Sequence, residues 1–352
     1  MDSGDLNQWG GLAGETERQA EENVTPIERL DFDAAALMRE HPPVWRDPNK
    51  RAVYETSCPP GSVHHGRIGF TRWGAMSLPV DVGPARTDVV LSRPGFFDYA
   101  PVLDPAEAVE WHVNFADPHL FVAYGGPLFA QDEIQVAEHP ALGALKEALA
   151  AAGVQSTTLD HDGPTPVLVT GVERRMSIRT GPDAAAGRPK GLYGNEFALA
   201  DPEAVRRATS RVDPPTISNL VAMSAPPGGY GVYRQEVIES ILTTAYTGFR
   251  AAVLESALLR GDGILVVVHT GYWGCGAYGG NRVLMALLQV VAAEMAGLDR
   301  LVFHTGGRGG DAPLEKAVDL LRGIESGGRI ATRALVEELV GMGFEWGVSD
   351  GN

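Results

Sequence analysis

Two stretches of the chain carry residues whose types and spacing suit chemistry. The first is Gln131-Asp132-Glu133, which begins fourteen residues beyond Asp117, with Gly125-Gly126 in between. Neighbouring carboxylates repel each other's charge, which raises one pKa and suits that group to donating a proton near neutral pH. A glycine loop ahead of them can wrap a sugar and present the acid to its glycosidic bond. The same acids also suit the first turn of a helix, where negative charge is favoured. The second stretch runs from His269 to Asn281 and holds Gly271, Gly274, Gly276, Gly279 and Gly280 between two apolar elements. Glycines let backbone N–H groups approach a ligand closely. The following helix N-terminus adds unpaired N–H groups and the positive end of its dipole. Together they suit a diphosphate, and Tyr278 adds an aromatic face for a ribose or a base. The stretch matches neither a Walker A loop nor a G-x-G-x-x-G turn with an acidic ribose ligand. A conventional nucleotide triphosphatase or dehydrogenase is therefore disfavoured.

Other reactive side chains point less clearly to a site. No G-x-S-x-G occurs, and Cys275 inside the glycine loop reads as a small packed residue rather than a nucleophile. Cys58 and Cys275 are too few for a disulfide framework. His64-His65 lacks zinc-ligand spacing and reads as a surface pair. His269 and His304 sit at strand ends on the ligand side and read as core or supporting residues. Arg174, Arg175 and Arg179 read as part of a solvated loop. No metal or cofactor is called for.

The elements that must hold these groups follow from periodicity. Trp111–Phe115, Pro166–Thr170, Asn219–Met223, Ile264–His269 and Leu301–His304 read as strands. Helices are expected over 32–39, 141–152, 233–257, 281–295, 313–322 and 329–342, with helical turns over 104–110. Residues 51–103 read as loops and short strands. Strands alternating with helices predict an α/β protein with a mixed or parallel sheet covered on both faces. Ligands in such sheets sit beyond the carboxyl ends of the strands, where both motifs fall.

Composition bounds the partners. The 352 residues carry a formal net charge of −16, with 44% hydrophobic residues. That balance disfavours a broad nucleic-acid-binding surface and a polybasic membrane anchor. No apolar run reaches the ~18 residues of a spanning helix. Residues 1–25 carry six acids against Arg18 and read as an acidic flexible tail. We expect a soluble, cytoplasmic monomer of a reducing compartment.

The two motifs together closely resemble the poly(ADP-ribose) glycohydrolase (PARG) family. Thr270-Gly-Tyr-Trp-Gly-Cys-Gly-Ala-Tyr-Gly-Gly280, followed by Leu287-Leu-Gln-Val-Val-Ala-Ala293, is similar to the family's T-G-N-W-G-C-G-A-F-G-G-D and L-x-Q-x-x-A-A. Asn114-Phe-Ala-Asp117 and Gln131-Asp-Glu133 resemble its D-F-A-N and Q-E-E. Thr170-Gly-Val-Glu173 and Ala245-Tyr-Thr-Gly-Phe249 resemble its T-G-x-E and A-Y-x-G-F. Residues 90–310 carry the likeness, in family order.

The resemblance implies a macrodomain-like mixed sheet sandwiched between helices over 91–345, with an N-terminal accessory region over 26–90. It implies catalysis by Glu133, with Asp132 beside it on the ribose. It implies substrate contacts at Asn114, Phe115, Asp117, Gly125, Gly126 and Gln131. Across the ligand these are matched by Gly274, Cys275, Gly276, Ala277, Tyr278 and Gly279. The substrate implied is ADP-ribose carried by a polymer or other macromolecule, released by hydrolysis at C1″. The alternative is an ADP-ribose-binding macrodomain reader with little or no catalysis. Three departures stand out. Counted without gaps, the family's Gly-Gly-Gly falls on Phe121, Val122 and Ala123. Asp132 replaces a Glu, and Asn114 and Asp117 exchange amide and acid. Tyr193 is the remaining candidate for adenine, in a segment rich in Arg, Gly and Ala.

Overall fold

Leu265–Gly271 and Arg300–His304 are short apolar runs buried along nearly their whole length, as central parallel strands require. In the computed structural model, which describes residues 24–84, 88–307, 309–324 and 328–351, they lie side by side. In chain order the first elements are β1 (Glu28–Asp33), α1 (Ala34–Glu40), α2 (Pro48–Ser57), β2 (Arg67–Arg72), β3 (Asp81–Val82) and β4 (Val90–Arg93). Next come β5 (Ala108–Ala116), α3 (Gln131–Glu138), α4 (Ala141–Ala151), β6 (Leu159–Asp160), β7 (Gly163–Pro164) and β8 (Val167–Ile178). Then follow α5 (Glu196–Leu199), α6 (Pro202–Ala208), β9 (Thr209–Ser224), α7 (Gln235–Arg260), β10 (Leu265–Gly271) and α8 (Arg282–Ala296). β11 (Arg300–His304), α9 (Asp311–Ile324), β12 (Ile330–Ala331) and α10 (Thr332–Gly341) complete the fold.

Eight strands form one mixed sheet in the order β1-β2-β8-β9-β5-β10-β11-β4. The pairs from β9 through β5, β10 and β11 to β4 are parallel, and those among β1, β2, β8 and β9 are antiparallel. One face packs Trp111, Val113, Val221, Val268 and Phe303 under α7 and α8. The other packs Phe70, Val169, Leu220 and Ala222 under α1 and α4. The sheet is thus sandwiched between helices, as expected.

The segment set apart as an accessory region contributes β1 and β2 to the main sheet. β1 and β2 extend one edge of the sheet, with Glu28 opposite Arg72 and Phe32 opposite Ile68. Residues 1–23 of the expected acidic tail lie outside the described residues.

Several local expectations are corrected. Phe32 and Asp33 end a strand of alternating burial, and the Asp33 carboxylate accepts from the Ala36 N–H to start the helix only at Ala34. Residues 48–57 form a helix, with Asp47 accepting from the Lys50 N–H and Pro48 in the first turn. Residues 108–110 extend β5 instead of a helical turn. β8 runs on to Ile178 through a bulge at Gly171, whose φ of +75° suits glycine. Arg174 and Arg175 are therefore buried strand residues. Arg174 donates to Glu138 at 2.9 Å, and Arg175 donates to Glu173 at 2.8 Å. His64 is buried too, with its Nε2 3.4 Å from the Cys58 Sγ. Among the described residues, no helix is long and apolar enough to cross a membrane.

Candidate functional site

The parallel strands β5, β9, β10 and β11 end at one side of the sheet, and both motifs converge there. Gln131 at the start of α3 stitches its motif to the end of β5. Its carbonyl accepts from the Phe115 N–H at 2.7 Å, and its amide donates to the Val113 carbonyl at 3.1 Å. The wholly buried Asn114 amide donates to Asp132 at 3.0 Å and to Gln135 at 2.8 Å. The N-F-A-D and Q-D-E stretches are thus one hydrogen-bonded unit. Asn114 lies beneath the site, while Asp117 sits on its rim, bonded to the His119 N–H.

Asp132 and Glu133 are buried side by side in the first turn of α3, at 6% and 3% exposure. Burial, and then the Glu133 charge, push the Asp132 carboxyl well above the usual carboxylate range. The hydrogen bond from Asn114 opposes this. Burial also raises Glu133, against the opposing charge of Lys50. The Glu133 carboxylate accepts from the Ala130 N–H at 2.9 Å. Glu133 therefore does cap the helix, and this holds it in place, whereas Asp132 is bonded to Asn114.

Opposite lies the glycine loop between β10 and α8. Its base is locked by Thr270, which donates to Gln289, while the Gln289 amide donates to the Gly271 carbonyl at 3.1 Å. Trp273 is buried and donates to the Met223 carbonyl at 3.0 Å. Gly274 takes φ +72°, and a Cβ there would stand 2.5 Å from the Ala225 Cβ, so only glycine fits. The loop's own carbonyls accept the N–H groups of Cys275, Gly279 and Gly280. Among the described residues, no backbone carbonyl accepts those of Gly276, Ala277 or Tyr278. The helix contributes differently from expectation, because the Asn281 side chain already accepts from the Val283 and Leu284 N–H groups at 3.1 Å each. The loop amides are the donors left for an anion.

A cavity of about 260 Å³ lies between the two motifs, lined by Phe115, Asp117, Gln131, Asp132, Glu133, Gly274, Gly276, Ala277 and Tyr278. A second, of about 640 Å³, adjoins it and shares Phe115, Gln131, Tyr193 and Gly276 as walls. It is lined further by Phe97, Tyr99, Tyr272, Cys275 and His304. Burial pushes the Cys275 thiol up to about 12, which disfavours a thiolate nucleophile. Behind this cavity, the fully buried His269 lies 2.8 Å from Glu110 and 3.1 Å from His304. These histidines hold a supporting chain of polar contacts.

Three of the sequence candidates lie elsewhere. Gly125 and Gly126 do not line either cavity. The Gly125 carbonyl accepts from the Arg46 and Asp47 N–H groups, and a Cβ on Gly125 would stand 2.2 Å from the Val44 carbonyl oxygen. Glycine is needed there for close approach of two chain segments, not for wrapping a sugar. Val122 and Ala123 face the smaller cavity instead. Phe121, aligned with a family glycine, is buried and keeps a left-handed φ of +54°. Gly279 is buried against residues 347–349.

Sequence reasoning missed two contributors. Lys50, wholly buried, donates to the carbonyls of Tyr124 at 2.8 Å and Ala123 at 3.4 Å. The segment 345–350 returns across the glycine loop, where Ser349 donates to the Ala277 carbonyl at 2.7 Å and Asn281 donates to the Glu345 carbonyl at 2.8 Å. Neither carries a local signal, since each partner lies some 70 residues away along the chain.

Residues 191–310 match the family model described as Poly (ADP-ribose) glycohydrolase (PARG), Macro domain fold. That segment begins at residue 191, takes in Tyr193, α7 and the glycine loop, and ends just beyond β11. Solved structures similar to the chain include a PARG from Thermomonospora curvata, 14% identical over 88% of this chain and 98% of that one, with a TM-score of 0.39. A PARG from Deinococcus radiodurans in complex with ADP-ribose is 13% identical over 84% of this chain and 94% of that one, with a TM-score of 0.37. The Thermomonospora curvata enzyme bound to the inhibitor ADP-HPD gives 15% identity, 78% and 99% coverage, and a TM-score of 0.42.

Proposed function

We infer from the PARG-like region over residues 191–310 that this chain is an ADP-ribosyl glycohydrolase, which hydrolyses the C1″ glycosidic bond of ADP-ribose attached to a polymer or other target. The observation that carries the reading is the pairing, across one cavity, of a buried acid at Glu133 with loop amides at Gly276–Tyr278 that no backbone carbonyl among the described residues accepts. The amides suit a diphosphate without any Lys or Arg. The acid suits a bond one ribose further on. The adjoining larger cavity, with its aromatic walls, has room for the adenosine half.

In this reading Glu133, protonated, gives its proton to the leaving oxygen as the C1″–O bond breaks. Positive charge grows on the ribose, eased by the neighbouring phosphates. Water then adds at C1″, and Glu133 takes back a proton. One carboxyl serves as acid and then base, unlike the two-carboxylate arrangement of most glycosidases. Asp132, bonded to Asn114, would meet a ribose hydroxyl and keep the ring against Glu133. A reader has no use for a buried acid raised above its ordinary range, whereas a general acid does.

The test is release of ADP-ribose from a panel of linkages: poly(ADP-ribose), mono-ADP-ribosylated side chains and ADP-ribosylated nucleic acid. Failure on every linkage by a folded preparation that binds ADP-ribose would favour the reader. The pH profile adds a second check. Glu133 must be protonated to act, and burial raises its pKa. Activity should therefore persist above the ordinary glutamate range and decline as the pH rises through the raised value. A rate that grows steadily with pH through neutrality contradicts the assignment.

A further inference from the structure

We propose that Lys50 is a positioning residue for this hydrolysis: its ammonium clamps the loop beside the sugar and sets its charge against the acid pair Asp132–Glu133. The proposal rests on the glycohydrolase reading and adds to it a residue from the N-terminal strands and helices. Lysine is rarely buried, because its charge must be compensated, yet Lys50 is 0% exposed. Its Nζ donates to the Tyr124 and Ala123 carbonyls and stands 5.6 Å from the Phe129 ring centroid. The two hydrogen bonds and the ring contact reach the two ends of one segment. Ala123 lines the smaller cavity, and Phe129 precedes the turn that carries the acids.

The clamp is reinforced along the same seam. The Arg46 and Asp47 N–H groups donate to the Gly125 carbonyl, and the Val44 N–H donates to the Tyr124 hydroxyl at 2.7 Å. Two carbonyls could be held by any neutral donor. A full positive charge answers a different need.

The charges that face Lys50 are Asp47 on its own helix and Glu133 and Asp132 on α3. Burial lowers the Lys50 pKa to about 8, and Glu133 is the strongest influence holding it up. Lys50 in turn is the leading influence lowering Glu133. Asp117 also faces Glu133, the Tyr193 and Tyr278 phenols lie near it, and Lys146 lies toward Asp132 and Asp117. When Glu133 hands over its proton it becomes an anion, and Lys50 is then best placed to stabilise it. The interaction is stronger in the transition state than before it, so it acts on kcat.

Lys50→Met keeps the stem and removes the charge. Its kcat should fall about tenfold while the alkaline limb of the pH profile moves up by about one unit, one pKa unit and one decade being the same free energy. Lys50→Arg should keep the limb in place. A folded Lys50→Met enzyme with an unmoved limb overturns the proposal, whatever its rate. A second measurement needs no Lys50 variant. Carbon-13 NMR of labelled lysine follows the Lys50 titration in the wild type and in Glu133→Gln. Losing the facing carboxylate should lower the Lys50 pKa by about one unit, and an identical titration in both proteins overturns the proposal. That readout involves no turnover. The glycohydrolase reading fails instead if wild type that binds ADP-ribose releases none from any linkage, so the two failures are distinct.

Discussion

Glu133→Gln is expected to lower ADP-ribose release by about 10³-fold, within the range general acid catalysis contributes, while leaving ADP-ribose binding within a few-fold of wild type. The amide has the carboxyl's shape, and its carbonyl can still accept from the Ala130 N–H, so the start of α3 keeps its form. What it loses is the ability to give up a proton. The leaving oxygen would then depart as an anion, against the grain of a buried, acidic setting. Binding should survive because, in the proposed arrangement, it would draw on other groups: the amides of Gly276–Tyr278 for the phosphates and the aromatic walls of the larger cavity. A release assay and calorimetric titration with ADP-ribose separate the two quantities. Turnover within tenfold of wild type would remove Glu133 from the mechanism.

The reverse split is expected at Gly274. Gly274→Ala should weaken ADP-ribose binding by about 100-fold, which at 1.4 kcal/mol per decade is about 2.8 kcal/mol. Two costs combine. A φ of +72° costs an alanine about 1 kcal/mol or more. The added methyl would also lie 2.5 Å from the Ala225 Cβ and 3.3 Å from the Met285 Cε, an overpacking of about 1–3 kcal/mol. The chain escapes both only by lifting the loop away from the end of β9, and the loop amides go with it. Ala225→Gly in the same chain removes the clash but not the backbone strain, so it should restore part of the affinity. Calorimetry on the single and double variants reads this directly. An unchanged Kd in a folded Gly274→Ala protein would show that these amides do not hold the ligand.

Much of this arrangement was legible in the chain, and the reason differs by element. β10 and β11 announce themselves as apolar runs, and the glycine loop follows from five glycines placed between a strand and a helix. Asp132 and Glu133 stand out because they are adjacent in sequence and also adjacent in space. The strands β1 and β2 were harder. The burial of β1 alternates at a sheet edge, and short alternating segments compete with helical spacing, as Phe32 and Asp33 illustrate, while β2 is a six-residue strand with little apolar run of its own. Arg174 read as solvated because its partner, Glu138, cannot be recognised until β8 lies beside α3, and Arg175 because Glu173 shares its face only once the segment is a strand. Lys50 is the extreme case. Nothing near it in the chain marks it for burial, and its carbonyl partners lie 73 and 74 positions away.

The shared walls of the two cavities bear on how long chains would be consumed. A released ADP-ribose unit would fill both cavities, so it must leave before the next unit can enter. In the interval the polymer is held only by the surrounding surface, and a chain of net charge −16 offers a polyanion no broad electrostatic grip. Each cut should end in separation. A population of long polymers would then shorten together, its length distribution sliding downward as a whole, with full-length and fully digested chains never coexisting as the main species.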